Sequence, residues 1–201
     1  MSKLSKVLAL TALVIAATAA VAVAATINGT SEPDNLIGTS SGDNINGRGG
    51  NDWIIGQGAG DNLDGDDDDD KMYGDGRCPP GSGGPSVCDT GDARMDAGDN
   101  MDGGNGNDYV NGNGGGDNLN GGAGDDTIVG GAGGDNIKGD SGGDTIYAQD
   151  DAKDNIDCGA GVDTAYVDSS GRDNTKNCET VSTTPVAVPS GLRANAKKHS
   201  R

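Results

Sequence analysis

Gly121-Gly122-Ala123-Gly124-Asp125-Asp126-Thr127-Ile128-Val129 is followed at once by Gly130-Gly131-Ala132-Gly133-Gly134-Asp135-Asn136-Ile137-Lys138. Both nonapeptides have the form G-G-x-G-x-D-x-U-x, where U is aliphatic. Outward from this pair, the aspartate of the frame recurs every nine residues. Toward the N-terminus it falls at Asp34, Asp43, Asp52, Asp61 and Asp70, with Leu36, Ile45, Ile54, Leu63 and Met72 two residues on. A second run holds Asp99, Asp108, Asp117, Asp126, Asp135 and Asp144, with Met101, Val110, Leu119, Ile128, Ile137 and Ile146. After a one-residue slip the frame resumes at Asp154 and Asp163, followed by Ile156 and Ala165. Glycines keep the same step at Gly29, Gly38, Gly47, Gly56, Gly65 and Gly74. Self-similarity at a fixed period marks a solenoid, in which each unit stacks on its neighbours.

The residue types fit that geometry. Three residues around U make a short strand with U inward and its neighbours outward. The G-G-x-G-x-D stretch must reverse the chain, and glycine takes positive φ without penalty. Asp and Asn tolerate the same region, so Asn113, Asp140 and Asp66 can replace a glycine. Two units close one coil, and units two apart then stack about 4.8 Å from each other. This predicts Asp34 over Asp52 over Asp70, Asp43 over Asp61, Asp99 over Asp117 over Asp135, and Asp108 over Asp126 over Asp144. Two carboxylates about 5 Å apart repel by roughly 3 kcal/mol at an effective dielectric of about 20. Whole-domain stability is only about 5–15 kcal/mol. A hard divalent cation with six to eight oxygen ligands fits between such loops, and the tighter octahedron of magnesium makes calcium the expected ion.

The repeat resembles that of the haemolysin-type, or repeats-in-toxin (RTX), calcium-binding family, over residues 29 to 76 and 99 to about 166. The resemblance implies an all-β chain folded as a right-handed parallel β-roll, with several calcium ions (Ca2+) along both edges. It makes all thirteen in-phase aspartates, from Asp34 to Asp163, candidate metal ligands. The five consecutive aspartates Asp66 to Asp70 contain one in-phase member, Asp70; the others read as a solvated acidic loop, with binding of extra ions as the alternative.

Composition supports a fold held by something other than a broad core. The 201 residues include 38 glycines, no Phe and a single tryptophan, Trp53. Calcium would supply what the thin aliphatic stack lacks. The formal charge is −18, which repels nucleic acid and anionic membranes and attracts cations.

Residues 1–25 read as a Sec-type signal peptide: Lys3 and Lys6, an uncharged Val7 to Val23 run, then Ala22-Val23-Ala24 as cleavage site. An uncleaved anchor is the rival reading, because the run approaches the roughly 20 residues of a membrane span. A secreted or cell-surface location is expected. Residues 26–76 form the first repeat block, 77–98 an irregular insertion and 99–166 the second block. Residues 158–180 form a C-terminal cap and 181–201 a flexible basic tail. The even cysteine count in an exported chain argues for disulfides, and proximity favours Cys78–Cys88 and Cys158–Cys178 among three pairings. The cap, from Asp154 to Glu179, resembles the stapled closing segment of many exported β-rolls.

No catalytic role is expected. His199 is the single histidine and no H-E-x-x-H occurs. Gly38-Thr39-Ser40-Ser41-Gly42 matches G-x-S-x-G but lies inside a repeat turn, without a strand-to-helix context or base. Thr30 and Thr39 do not extend into the outward threonine ladder of an ice-binding roll. Two roles remain: a monomeric calcium-binding structural or matrix protein, or a secreted accessory or adhesin that binds a protein or glycan.

Overall fold

The computed structural model describes residues 23–75 and 97–186, and the backbone of Leu13–Ile15. Among these residues there is no helix, and every strand pairing is parallel. One sheet has nine strands: β1 (Leu13–Ile15), β3 (Asn35–Ile37), β5 (Trp53–Gln57), β7 (Lys71–Asp75), β9 (Tyr109–Asn111), β11 (Thr127–Val129), β13 (Thr145–Ala148), β15 (Thr164–Val167) and β17 (Thr180–Ser182). The other has eight: β2 (Thr26–Asn28), β4 (Asn44–Asn46), β6 (Asn62–Asp64), β8 (Asn100–Asn105), β10 (Asn118–Ala123), β12 (Asn136–Ser141), β14 (Asn155–Asp157) and β16 (Asn174–Lys176). Successive strands alternate between the sheets, so the chain winds as a parallel β-roll.

The frame sets the register. Leu36 lies beside Ile54, which lies beside Met72, then Val110, Ile128, Ile146 and Ala165. The facing sheet stacks Ile27, Ile45, Leu63, Met101, Leu119, Ile137 and Ile156 in the same way. All of these form one continuous buried core. Each coil thus adds one aliphatic side chain per sheet, and a one-residue shift would turn it outward.

The irregular segment leaves the stack intact. Strand β6 pairs directly with β8, and β7 with β9, so the frame continues across residues 76–96 as though they were absent. The expected Cys78–Cys88 disulfide falls outside the described residues. Cys158–Cys178 is bonded, with Cα atoms 5.1 Å apart, and ties β14 to the segment entering β17. Leu13–Ile15, within the expected leader, pairs its backbone with β3 and covers that edge of the nine-stranded sheet.

Three features depart from the sequence reading. The in-phase glycines Gly29 to Gly74 do not have positive φ; that conformation falls on other glycines of the turn, such as Gly122 (φ 104°) and Gly124 (φ 136°). Asp66, Asn113 and Asp140 do take it, at φ 71°, 69° and 68°. Second, strand neighbours of U are not all solvated. Ile55, Tyr73 and Tyr109 are buried in a second cluster against Trp53 and Val129 on the outer face of the nine-stranded sheet. Trp53 stacks on Tyr73 with ring centroids 5.4 Å apart, and Tyr73 meets Tyr109 at 5.5 Å. Third, a threonine column does exist, through Thr127, Thr145, Thr164 and Thr180.

An asparagine ladder runs along the other sheet. Amides of Asn44, Asn62, Asn100, Asn118, Asn136, Asn155 and Asn174 are joined by hydrogen bonds of 2.9–3.1 Å. Stacked identical amides of this kind reinforce parallel in-register pairing.

Ile128→Ala should destabilise the calcium-saturated chain by about 2–5 kcal/mol, the range for deleting a fully buried aliphatic side chain. Thr127→Ala, beside it on the outer face, should fall within about 0.5 kcal/mol of wild type. Denaturant unfolding of both variants checks this, and equal losses would place the core elsewhere.

Candidate metal centre

The turns between strands carry the in-phase aspartates in two files. One holds Asp34, Asp52, Asp70, Asp108, Asp126, Asp144 and Asp163; the other holds Asp43, Asp61, Asp99, Asp117, Asp135 and Asp154. None is more than 4 % exposed. Within each repeat block the order is the predicted one; the files also run unbroken from Asp61 to Asp99 and from Asp70 to Asp108, and on to Asp154 and Asp163.

A repeated hydrogen bond fixes each carboxylate. The backbone N–H of one aspartate donates to Oδ1 of the aspartate one coil on. Asp34 to Asp52 and Asp52 to Asp70 measure 2.7 Å, Asp108 to Asp126 2.8 Å, and Asp126 to Asp144 3.0 Å. In the second file, Asp43 to Asp61 is 2.7 Å and Asp99 to Asp117 is 2.9 Å.

The second oxygen is left over. Oδ2 of Asp52, Asp61, Asp70, Asp99, Asp108, Asp117, Asp126, Asp135, Asp144 and Asp163 is buried without a hydrogen-bond partner. An anionic oxygen in that position is costly unless a cation meets it. The first glycine of the repeat makes room there. A Cβ on Gly56 would come within 3.0 Å of both Asp61 Oδ2 and the carbonyl oxygen of Gly74 in the next coil. At Gly47 the same two roles fall to Asp52 Oδ2 and Gly65 O. A carboxylate oxygen and a backbone carbonyl therefore converge on the vacated methyl position at both glycines.

Oxygen-only donors around a gap fit a hard cation such as calcium. Among the described residues no three acidic, cysteine or histidine side chains converge on one point. A cation between turns would therefore draw most of its six to eight ligands from backbone carbonyls, with the file aspartates supplying the charge.

Burial pushes ten of these carboxyls above their ordinary range, and for Asp52, Asp61, Asp70, Asp117, Asp126, Asp144 and Asp154 a neighbouring aspartate of the file adds to it. Asp61, Asp70 and Asp117 rise to about 8, each by desolvation first, partly offset by the backbone hydrogen bond. Asp99, Asp126 and Asp154 rise to about 7. Asp52, Asp108, Asp135 and Asp144 rise to about 6.

The family model of the RTX calcium-binding nonapeptide repeat matches the chain in four copies, over residues 28–61, 47–76, 95–128 and 129–165, which together span more than half of it. The chain belongs to this family. Comparison with curated proteins and with solved structures gave no match. RTX repeats bind calcium, and in this RTX chain the orphaned Oδ2 atoms mark where such an ion would be needed.

Two members of the files escaped the sequence reading. Asp154 donates its N–H to Asp173 Oδ1 at 3.1 Å, and Asp163 donates to Glu179 Oε2 at 2.9 Å. Asp173 was hidden because Thr175 replaces the aliphatic U. Glu179-Thr180-Val181 keeps the frame with glutamate for aspartate, a signal that was available. The four out-of-phase aspartates Asp66 to Asp69 are exposed, as a solvated acidic turn should be.

Because folding raises these pKa values above the ordinary value of about 3.9, the folded chain binds more protons than the unfolded chain between about pH 4 and pH 8. Without metal, stability is therefore greatest below about pH 4 and falls as pH rises through the folded values near 6 to 8. In excess chelator, far-UV circular dichroism should gain β signal as pH is lowered from 8 to 5. A spectrum that does not change over that range would count against the buried files.

Proposed function

We propose that this RTX chain is an exported protein that folds when calcium fills the spaces between its coils, with a structural role at the cell surface or in the surrounding matrix. The observation that carries the reading is the set of buried, unpartnered Oδ2 atoms beside glycine gaps. Protons can neutralise these oxygens in acid; calcium does so at neutral pH. Export is supported by the Lys3/Lys6 leader with its Ala22-Val23-Ala24 site, and by the Cys158–Cys178 disulfide. The reading assigns no catalytic role: Ser40 is exposed in the turn between β3 and β4, and its G-x-S-x-G neighbourhood is a repeat turn.

A second reading, an accessory or adhesin that binds a protein or glycan, is favoured by one observation. All five aromatic residues of the chain, Trp53, Tyr73, Tyr109, Tyr147 and Tyr166, lie on the nine-stranded sheet at positions flanking the core residues. Tyr147 and Tyr166 stack at 5.1 Å and stay partly exposed.

Calcium titration at pH 7.5, followed by circular dichroism, should convert a coil spectrum to a β spectrum in the range up to millimolar that extracellular modules use. A β-rich spectrum that persists in chelator at this pH would defeat the proposal. Asp126→Asn should raise the calcium midpoint several-fold, since Asp126 bonds to both Asp108 and Asp144 within its file. Asp68→Asn should leave it nearly unchanged, because Asp68 is exposed and asparagine tolerates its φ of 77°. Equal midpoints would mean the aspartates act only as diffuse charge.

A further inference from the structure

At the one-residue slip, Ala148-Gln149-Asp150-Asp151-Ala152-Lys153 replaces a glycine-rich turn. The next turn on this edge, after β15, runs from Asp168 to Asp173. These two turns carry four carboxylates, Asp150, Asp151, Asp168 and Asp173, and the charges of the other three act on Asp168. Three of them lie outside both files, and Asp173 ends one.

Asp168 is the decisive residue. It is only 7 % exposed, and its Oδ2 is buried without a hydrogen-bond partner. Its carboxylate accepts a hydrogen bond from the backbone N–H of Asp151. Burial raises its pKa, and the charges of Asp173, Asp150 and Asp151 raise it further. The neighbours are already anchored to successive coils. Asp173 Oδ1 and Oδ2 accept the N–H groups of Asp154 (3.1 Å) and Asp168 (2.8 Å). Asp150 Oδ2 and Oδ1 accept those of Gly133 (2.7 Å) and Ala152 (2.8 Å).

None of these four carboxylates has an ion pair among the described residues. Arg172 Nη1 donates to the Asp151 carbonyl oxygen at 2.5 Å, and the ion pair nearby joins Lys176 to Asp157. Hydrogen bonding therefore holds the cluster in place but leaves Asp168 Oδ2 with nothing to meet.

We propose that a calcium ion binds between these two turns, on Asp168 Oδ2, with carboxylates of Asp150, Asp151 and Asp173 as its other acidic ligands. The site rests on the calcium reading above but uses residues outside the nonapeptide frame, apart from the file end at Asp173. The four carboxylates do not stand as a closed ligand set. Asp151 is exposed, with φ 73°. The ion would join the slipped turn to the cap that Cys158–Cys178 staples, closing the end of the roll where glycine turns give out.

The test counts calcium bound to the folded full chain, by equilibrium dialysis or native mass spectrometry, for wild type and Asp168→Asn. Asparagine keeps an acceptor for the Asp151 N–H but removes the orphaned anionic oxygen. The variant should retain its β spectrum in saturating calcium and bind one ion fewer. Asp150→Asn, at a half-buried position, is the second variant and should lose the same single ion. An unchanged count in whichever variant folds overturns the proposal. So does loss of β structure by both variants in saturating calcium, since one ion at this end must leave the repeat files folded. A wild-type chain that binds no calcium overturns the calcium reading itself, and this site with it.

Discussion

A buried carboxylate that accepts one backbone N–H on Oδ1 and nothing on Oδ2 recurs along both edges of this roll. The bond explains why the aspartate cannot move from its place in the nonapeptide. It ties each coil to the next through a backbone donor that strand pairing does not use. It also creates the instability that a cation relieves. Burial pushes Asp61, Asp70 and Asp117 up to about 8, and neighbouring aspartates of the file add to it. Neutralising the files, by metal or by protons, would relieve that cost and leave the thin core to hold the coils together.

The glycines follow from the same constraint. The first glycine of each unit is required for space: a methyl group on Gly56 would occupy the position that Asp61 Oδ2 and Gly74 O approach. Gly124 is required for conformation as well, at φ 136°, and a Cβ there would also run into the carbonyl oxygen of Gly106 in the preceding coil. One residue type thus serves two purposes within a single turn. Asn113 can replace only the conformational kind, because it tolerates positive φ but carries a side chain.

A roll of this kind is nearly one-dimensional, since each coil contacts only its neighbours. That accounts for the tolerance shown at residues 76–96. Strands β6 and β8, and β7 and β9, pair in the same register as their neighbours, so the stack is continuous on either side of that segment. The C-terminal end shows how such a stack stops. The glycine turns give way to aspartate-bearing ones, Asp173 and Glu179 finish the two files, and the disulfide fixes the last coil.

The period, the parallel all-β fold, the inward aliphatics and the stacking order of the aspartates from Asp34 to Asp70 and from Asp99 to Asp144 were all legible in the sequence. Each is a local rule repeated at a fixed step, and stacking converts nine-residue spacing directly into contact. What the tertiary structure decided lies where the step fails or where a side chain meets another coil. The residue count from Asp70 to Asp99 did not show that the files continue across the insertion; the pairing of β7 with β9 did. Burial of Ile55 and Tyr73 on the outer face depends on neighbours from other strands, which alternation within one strand cannot supply. The roles of Asp168 and Asp173 also needed the fold. Neither is followed by an aliphatic U, and only stacking of the last turns brings their carboxylates to Asp150 and Asp154.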